Sequence, residues 1–200
     1  MSAKVSRDFV FNTAVHFEGI FIINSYEINL TMLVNTEDNR EQNIALERIK
    51  YLINECLENS IFVNAKETKT IDLYLKAGLK VCPLPDDPFD QIVGAVLLQK
   101  FNVITEQKLY VTEIDIKSAI CDDVKFYLSA DDEIDFFQNE NVWWNDNSAS
   151  IFDYTKKSKK EKIVELKKEV TDWNLIGLSW KEKRKSNKDN GEIVFIPVDK

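Results

Sequence analysis

The chain has 200 residues, which is enough for one or two domains with a buried core. Its 44% apolar and 30% charged residues are typical of a soluble globular protein, and no apolar run is long enough to cross a bilayer. The net charge of −8 disfavours general binding to nucleic-acid phosphates. The N-terminus lacks the apolar stretch of a secretory signal, and the three cysteines form no Cys-x-x-Cys pair. We therefore expect a cytoplasmic protein with neither a membrane segment nor a nucleic-acid partner.

The first half of the chain passes from strand patterns to a helix pattern. In residues 8–17 and 26–34 apolar side chains recur at every second position, which predicts two half-buried strands. Segment 39–59 has a helical stripe instead, and Asn39 with Gln42 matches a capping box at its start. The stripe consists of Ala45, Ile49, Leu52, Ile53 and Cys56.

Five further elements are predicted before residue 130. "SIFVN" favours a short strand, and "TIDLYLKAG" favours a short helix that Gly78 ends. The next helix has Asp87 as its cap and Pro88 at its first position. "KLYVTEIDIKS" and "DVKFYLS" then predict two strands. With the short strand and short helix of residues 60–85 set apart as an insertion, the whole indicates an α+β fold, an antiparallel four-stranded sheet in β-β-α-α-β-β order with helices on one face.

The character of the sequence changes near residue 130, which suggests a domain at 1–130 and a C-terminal extension at 131–200. The extension combines an acidic aromatic loop, a basic amphipathic helix at 156–173 and a short strand at 192–198, so it is itself of α/β type. Its aromatic cluster can bind a protein partner, stack on a flat ligand or fold back onto the first domain. The cluster consists of Phe136, Phe137, Trp143 and Trp144.

Five segments resemble, in order, the motifs of the 6-pyruvoyl-tetrahydropterin synthase and 6-carboxytetrahydropterin synthase family, which has the T-fold. They are "FNTAVHF", "INSYEINLTMLV", "CLENSIFVN", "PDDPFDQIVGAVLLQKFN" and "LYVTEIDI". The resemblance places Tyr26 on the family's tyrosine and Glu113 on the glutamate that anchors the pterin ring. It also implies subunits that associate through their sheets into rings, with ligand pockets between them.

The zinc site of that family does not carry over to this chain. Family members hold zinc through three histidines, and the resemblance puts His16, Ile22 and Asn24 at those places. Isoleucine cannot ligate a metal, asparagine is a poor zinc ligand, and His16 is the chain's single histidine. We therefore expect no metal and no cofactor, with His16 as the remnant of a zinc site.

Two classes of function follow from these patterns. The first is a non-catalytic T-fold-like binding or assembly protein, a homo-oligomer with a protein partner for its extension. Its Lys-, Asn- and Ile-rich composition suggests an AT-rich bacterial or phage genome. A purine- or pterin-like ligand would contact the positions that the resemblance marks, which are Glu113, His16, Asn24 and Tyr26.

The second class is an enzyme. One form is a diverged, zinc-free catalyst that handles pterins or purines. The other is a Mg²⁺-dependent nuclease, because "EIDIK" and the preceding Pro85-Asp86 loosely match a Pro-Asp…(Asp/Glu)-x-Lys metal site. The residues of that site would be Asp86, Glu113, Asp115 and Lys117.

Overall fold

The computed structural model describes residues 3–132, 142–151 and 172–181. Six strands, three α-helices, a π-helical segment and a 3₁₀ turn make up its regular structure in these ranges. The strands are β1 (Ala3–Phe17), β2 (Ile20–Val34), β3 (Ile61–Asn64), β4 (Val81–Leu84), β5 (Leu109–Ser118) and β6 (Phe126–Ser129). The helices are α1 (Asn39–Tyr51), α2 (Thr68–Lys76) and α3 (Asp90–Thr105); the π-helical segment Leu52–Leu57 continues α1, and Trp143–Asn145 is the 3₁₀ turn. The predicted helix at 156–173 and strand at 192–198 lie outside the described residues, apart from 172 and 173.

Strands β1 and β2 form a long antiparallel hairpin that is the centre of the fold. They pair over their full lengths, from Ala3 opposite Val34 to Phe17 opposite Ile20. A two-residue turn joins them at Glu18 and Gly19, whose φ angles are both positive, at 49° and 77°. Such turns match the right-handed twist of a hairpin and fix its register. Both strands are longer than the alternating segments 8–17 and 26–34 predicted.

The sheet has six strands in the order β4-β3-β1-β2-β5-β6. Strands β1, β2, β5 and β6 are the predicted antiparallel set, but β3 pairs with β1, and β4 with β3, in parallel. The predicted sheet of four antiparallel strands therefore lacks two of the observed strands, and the observed sheet is mixed. One of the two added strands, β3, lies where "SIFVN" favoured a short strand, whereas β4 was not predicted. Both are four residues long and mostly buried, so neither shows the alternation that reveals a strand in sequence.

Helices cover both faces of the sheet, not one as predicted. The face that carries Tyr26, Leu30 and Ile114 packs on α1 and α3, and we call it the inner face. On the opposite, outer face, a smaller cluster joins Val63 of β3, Val81 of β4 and Ile71 of α2. Helix α2 lies over β3, β4 and the turn end of the β1–β2 hairpin, where Tyr74 contacts His16 and Phe21. The rest of the outer face is open among the described residues.

The N-terminal ends of α1 and α3 differ from the predicted positions. The N-cap of α1 is Asp38, whose side chain accepts the backbone N–H of Arg40, and Asn39 is already helical. The N-cap of α3 is Phe89, not Asp87. The carboxylate of Asp87 is engaged elsewhere, because it accepts a 2.8 Å hydrogen bond from Nδ2 of Asn64. Tertiary contacts thus outweigh the local capping signal.

The described parts of the extension belong to the same hydrophobic core as the sheet. Trp143, Trp144 and Trp173 are 2%, 4% and 5% exposed, and they pack with the residues of α1, α3 and the inner face. Residues 142–151 and 172–181 therefore lie on the side of the inner face, beside α1 and α3. In the described part of the chain, no helix combines the length and apolarity that a membrane span requires.

Candidate functional site

His16 lies near the end of β1 on the outer face, beneath α2. Its side chain is buried, and its ring meets that of Tyr74 edge-on with the centroids 5.7 Å apart. Nδ1 lies 3.2 Å from Oε2 of Glu67, which is within ion-pair distance for a protonated imidazole. The two atoms are not aligned as a hydrogen bond, so Nδ1 is a buried polar atom without such a partner. The contacts of His16 are those of a packed residue between strand and helix.

Asn24 lies on the inner face, opposite to the face of His16. The hairpin register pairs Asn24 with Thr13 and pairs His16 with Phe21. Since successive side chains of a strand alternate between faces, Thr13 and His16 point to opposite sides of the sheet. The resemblance to the zinc enzymes placed His16 and Asn24 in one site, and the structure separates them.

A buried polar cluster lies on the inner face around Asn24 and Tyr26. Tyr26 is opposite Ser118 in the register of β2 and β5, and Asp90 opens α3 nearby. Three polar atoms of this cluster are buried without a well-aligned hydrogen-bond partner: Nδ2 of Asn24, Oη of Tyr26 and Oδ2 of Asp90. Such orphaned atoms are rare, because each costs free energy in an apolar environment. The Asn24 side chain is nevertheless close enough to the Tyr26 hydroxyl to oppose the rise of its pKa.

Burial also changes the acidity of the cluster. Burial, and then the charge of Asp90, raises the pKa of the Tyr26 hydroxyl above its usual value of 10.0. Burial raises the pKa of the Asp90 carboxyl above 3.8, although hydrogen bonding with Ser118 opposes the change. Both groups therefore favour their neutral forms more than free side chains do. The carbonyl oxygen of Asn24 is already used, since it accepts the backbone N–H of Ser25 at 2.9 Å.

Glu113, the predicted anchor of a ligand ring, lies away from this cluster. Its side chain is 52% exposed on the outer face and lies 3.6 Å from Nζ of Lys4. Five residues along β5 separate it from Ser118, a span of about 17 Å in a strand. It lines an open depression of about 370 Å³ together with Lys4, Thr112 and Ser129. The structure thus brings Asn24 and Tyr26 together, but neither His16 nor Glu113 joins them.

The four residues of the nuclease hypothesis are also dispersed. Asp86 follows β4, at one edge of the sheet, and Asp115 and Lys117 lie on β5, four strands away or about 19 Å. Asp115 pairs with Lys125 at 3.0 Å, and Lys117 pairs with Asp122 at 2.7 Å. The structure therefore does not assemble a shared metal site from these residues. Across residues 3–132, 142–151 and 172–181, no three His, Cys, Asp or Glu side chains are grouped so that they could hold a metal ion.

Trp143 and Trp144, two of the four aromatic residues predicted to bind a partner, are buried in the chain's own core. The indole N–H of Trp143 donates a 2.8 Å hydrogen bond to the carbonyl of Pro83 in β4. Nζ of the fully buried Lys100 donates to the carbonyls of Trp143 and Asp146, at 2.7 and 2.6 Å. This is the folded-back arrangement that the sequence left open. Phe136 and Phe137 lie outside the described residues.

Arg48 of α1 binds the second described part of the extension, residues 172–181, and no sequence pattern predicted this role. Its guanidinium lies between the rings of Trp173 and Trp180, 4.8 and 3.9 Å from their centroids. Nε donates to the carbonyl of Leu178 at 2.9 Å, and Nη1 donates to that of Ile104 at 2.8 Å. Cation–π contacts and a rigid fork of donors make arginine suited to such a position.

Within the described ranges, the long N-terminal part of β1 has one edge that pairs with no strand. Strand β3 pairs with β1 only at residues 14–16, and Asn12 is held by Asn59 and Glu58. No strand in the described part of the chain pairs with this edge from Ala3 to Phe11, which we call the open β1 edge. An unpaired edge of this length is a template for strand pairing with another chain.

The side chains beside the open β1 edge are also uncovered on the inner face. Val5 is 42% exposed, Arg7 is exposed, and Phe9 is partly buried against the core. Their partners across the hairpin are, in the same order, Met32, Leu30 and Ile28, which are at most 2% exposed. Among the described residues, the hydrophobic layer therefore ends at β1 with no further element beside it, and the surface suits an interface.

No protein-family model matches the chain, and neither does any curated protein sequence. Solved structures do resemble it. One is an uncharacterized protein from Wolinella succinogenes, with 7% identity, a TM-score of 0.45, and coverage of 66% of this chain and 99% of the other.

Two further structures are 6-pyruvoyltetrahydropterin synthases. That of Plasmodium vivax has 12% identity, a TM-score of 0.42, and coverage of 64% of this chain and 97% of the other. That of Plasmodium falciparum has 14% identity, a TM-score of 0.41, and coverage of 64% and 96%. They are enzymes of the family that the five sequence segments resemble. The likeness concerns the arrangement of the backbone and says nothing about activity.

Proposed function

We propose that this protein is a non-catalytic, T-fold-like subunit that acts by association, first with copies of itself and then with a protein partner. The observation that supports this most directly is the open β1 edge, from Ala3 to Phe11. Exposed Val5 and Val10 flank this edge on the two faces of the sheet. Strand addition would satisfy the free backbone groups and cover part of this apolar surface. The thiols of Cys82 and Cys121, which form no disulfide, fit a reducing, cytoplasmic setting for such a subunit.

The chemistry of the sites favours association over catalysis. The residues of the zinc enzymes' site are replaced at two of three positions, and His16 and Asn24 lie on opposite faces of the sheet. Asp115 and Lys117 are occupied in ion pairs with Lys125 and Asp122. Two groups that the nuclease hypothesis needs are thus held in other contacts.

Sedimentation of the purified chain between about 1 and 100 μM tests the proposal, a range in which interfaces of standard size are populated. We expect one defined oligomer with a concentration-dependent dissociation. Val5→Asp at the open β1 edge should shift the distribution toward monomer, whereas Leu73→Asp, on the exposed side of α2, is the control. A monomer throughout this range would refute the proposal.

A second candidate function, binding of a small base-like ligand, is favoured by the buried polar groups of Asn24, Tyr26 and Asp90, three of whose atoms have no well-aligned hydrogen-bond partner. A carboxylate, an amide N–H and a hydroxyl together match the mixed donors and acceptors at the edge of a purine or pterin ring. A ligand would reach this cluster only when the surrounding side chains open.

Thermal shift with pterins, purines and nucleotides tests the ligand hypothesis. Binding to the folded state should raise the melting temperature of the wild type, and Tyr26→Phe should reduce the rise. Glu113→Gln, which alters an exposed carboxylate outside the cluster, serves as the control. If Glu113→Gln abolished the shift and Tyr26→Phe did not, the ligand would belong to the depression at Glu113 instead.

A further inference from the structure

We infer that the open β1 edge pairs with the same edge of a second copy, antiparallel and two-fold symmetric, with Ser6 on the symmetry axis. The inference rests on the proposed function and deepens it, because it names the partner strand and its register. It predicts a closed dimer with a continuous sheet across the interface. A head-to-tail ring would require a second, different edge able to receive β1.

The edge at β6 offers little to another strand. Ala130 donates its N–H to the carbonyl of Thr112 in β5, so the backbone groups of Ser129 point away from β5. Those groups are already used. The N–H of Ser129 donates to Oδ2 of Asp132 at 2.8 Å, and its carbonyl accepts the N–H of Asp132 at 3.1 Å. Strand β6 is only four residues long. Tyr127 is therefore the one residue of β6 whose backbone N–H and C=O still point outward and could pair with another strand.

At the edge of β4, Pro83 and the extension leave few backbone groups that could pair with another strand. The carbonyls of Lys80 and Leu84 accept N–H groups from the β3 side, so Val81 and Pro83 face outward. Proline has no N–H to give, and the Pro83 carbonyl accepts the indole N–H of Trp143. Short, proline-containing or covered edges resist pairing with another strand. Among the described strands, β1 therefore carries the one long edge that is open.

The backbone groups on the open β1 edge belong to even-numbered residues. Ala14 donates its N–H to Ser60, and Asn12 accepts the N–H of Asn59, so even residues face away from β2. Alternation along the strand extends this to Lys4, Ser6, Asp8 and Val10, which present four N–H and four C=O groups. In a two-fold pair, even residues must therefore stand opposite even residues, and the axis passes through a residue.

The charges along the edge select Ser6 as the axial residue. With Ser6 opposite Ser6 of the second copy, Lys4 stands directly opposite Asp8, and the pair occurs twice. An axis at Arg7 or at Asp8 would place like charges opposite each other. Opposite charges in a cross-strand pair stabilise a sheet, and like charges destabilise it. This register also puts Phe9 beside the second copy's Ala3 on the inner face.

The present partners of both charged residues leave them free to pair anew. Lys4 is 61% exposed in its 3.6 Å contact with Glu113, and exposed pairs of this kind contribute little. Asp8 accepts a hydrogen bond from Nδ2 of Asn29 through Oδ1, at 2.6 Å, which leaves its second oxygen available. Pairing across the axis would therefore add ion pairs and cost no buried contact.

A charge swap tests the register. Lys4→Asp and Asp8→Lys each place like charges opposite one another twice per dimer, so each should raise the dissociation constant by about tenfold or more. The double variant Lys4→Asp/Asp8→Lys restores opposite charges, so we expect its constant to return to within about threefold of wild type. Glu27→Lys, an exposed charge reversal on β2, is the control and should leave dimerisation unchanged.

A single introduced cysteine tests whether the two-fold axis passes through residue 6. In the Cys121→Ser background, which removes the exposed thiol, Ser6→Cys should form a covalent dimer on mild oxidation. Directly paired residues lie about 5.5 Å apart between Cα atoms, within the range of a disulfide. Val10→Cys is the matched control, because its two copies would be about 26 Å apart in this register.

The outcomes separate this inference from the proposed function. A dimer that responds to the charge swap and cross-links at residue 6 supports both. A trimer or larger ring, or a dimer that neither responds to the swap nor cross-links, overturns the inference and leaves function by association standing. A monomer at every concentration overturns both.

Discussion

At the scale of single residues, Asp90 has the clearest pH dependence. Burial raises the pKa of its carboxyl above 3.8, so the folded protein holds this proton more tightly than the unfolded chain does. The ionised form therefore costs stability. The cost is absent below pH 3.8, grows as the pH rises toward the folded-state pKa and is complete above it.

Asp90→Asn should remove this cost without a change in shape. We expect the variant to equal wild type near pH 3 and to become more stable than wild type as the pH rises toward 7. Urea unfolding at intervals across this range gives the free energy of unfolding for each protein. Asp72→Asn, on the exposed side of α2, controls for the loss of one carboxylate. A constant difference at all pH values would contradict the assignment of the raised pKa to Asp90.

The placement of His16 and Asn24 shows what a sequence can give about a site. Alternation within a strand puts Asn24 and Tyr26 on one face, and that much is evident from the sequence. Which face His16 shares with them depends on the register, and the register depends on the turn at Glu18 and Gly19. A two-residue turn makes odd positions of β1 oppose even positions of β2, so His16 falls on the other side. The length of the turn, more than the type of residue, therefore decides which side chains share one face of the sheet.

At the scale of elements, Gly94 sets how closely α3 approaches the sheet. A Cβ at this position would lie 2.5 Å from Cδ1 of Leu128 and 2.9 Å from Cγ2 of Ile116. Alanine would gain about 1 kcal/mol of helix propensity, but overpacking of a core costs about 1–3 kcal/mol. We therefore expect Gly94→Ala to lower the free energy of unfolding by roughly 1 kcal/mol, as measured by denaturant unfolding.

Leu128→Ala provides the matched background for that substitution. It removes the nearer of the two opposing atoms, so Gly94→Ala should cost less there than in wild type. Equal costs in the two backgrounds would show that Leu128 moves aside freely and that Ile116 alone resists.

The elements that sequence could predict are those whose pattern is local. The hairpin β1–β2, helix α1 and strand β5 show periods of two or 3.6 over long stretches, and the structure contains all three. Strand β4 has no such pattern, because it is four residues long and includes Pro83. The N-cap of α3 was missed for a different reason, since Asn64 of β3, distant in sequence, takes the carboxylate of Asp87. Long-range contacts therefore decide what local patterns leave open.

At the scale of the whole molecule, the described extension and the sheet share one core. Lys100 of α3 donates to carbonyls of residues 143 and 146, and Arg48 of α1 donates to that of residue 178. A buried cation whose partners are removed loses stability, because its charge is left without compensation. Residues 1–130 are therefore proposed to depend on the extension, even though composition marks a boundary there.

Trp143→Ala tests this dependence, because Trp143 joins β4, α3 and the extension through its ring and its N–H. Truncation of a buried tryptophan costs about 3–5 kcal/mol, so we expect a much lower midpoint of thermal unfolding. If the core is shared, calorimetry should show one transition that moves as a whole, with equal calorimetric and van't Hoff enthalpies at a fixed state of association. Leu175→Ala, in the extension and 71% exposed, should leave that transition in place. Two separate transitions, of which only the smaller moved with Trp143→Ala, would mean that the extension folds apart from the sheet and merely rests on α1 and α3.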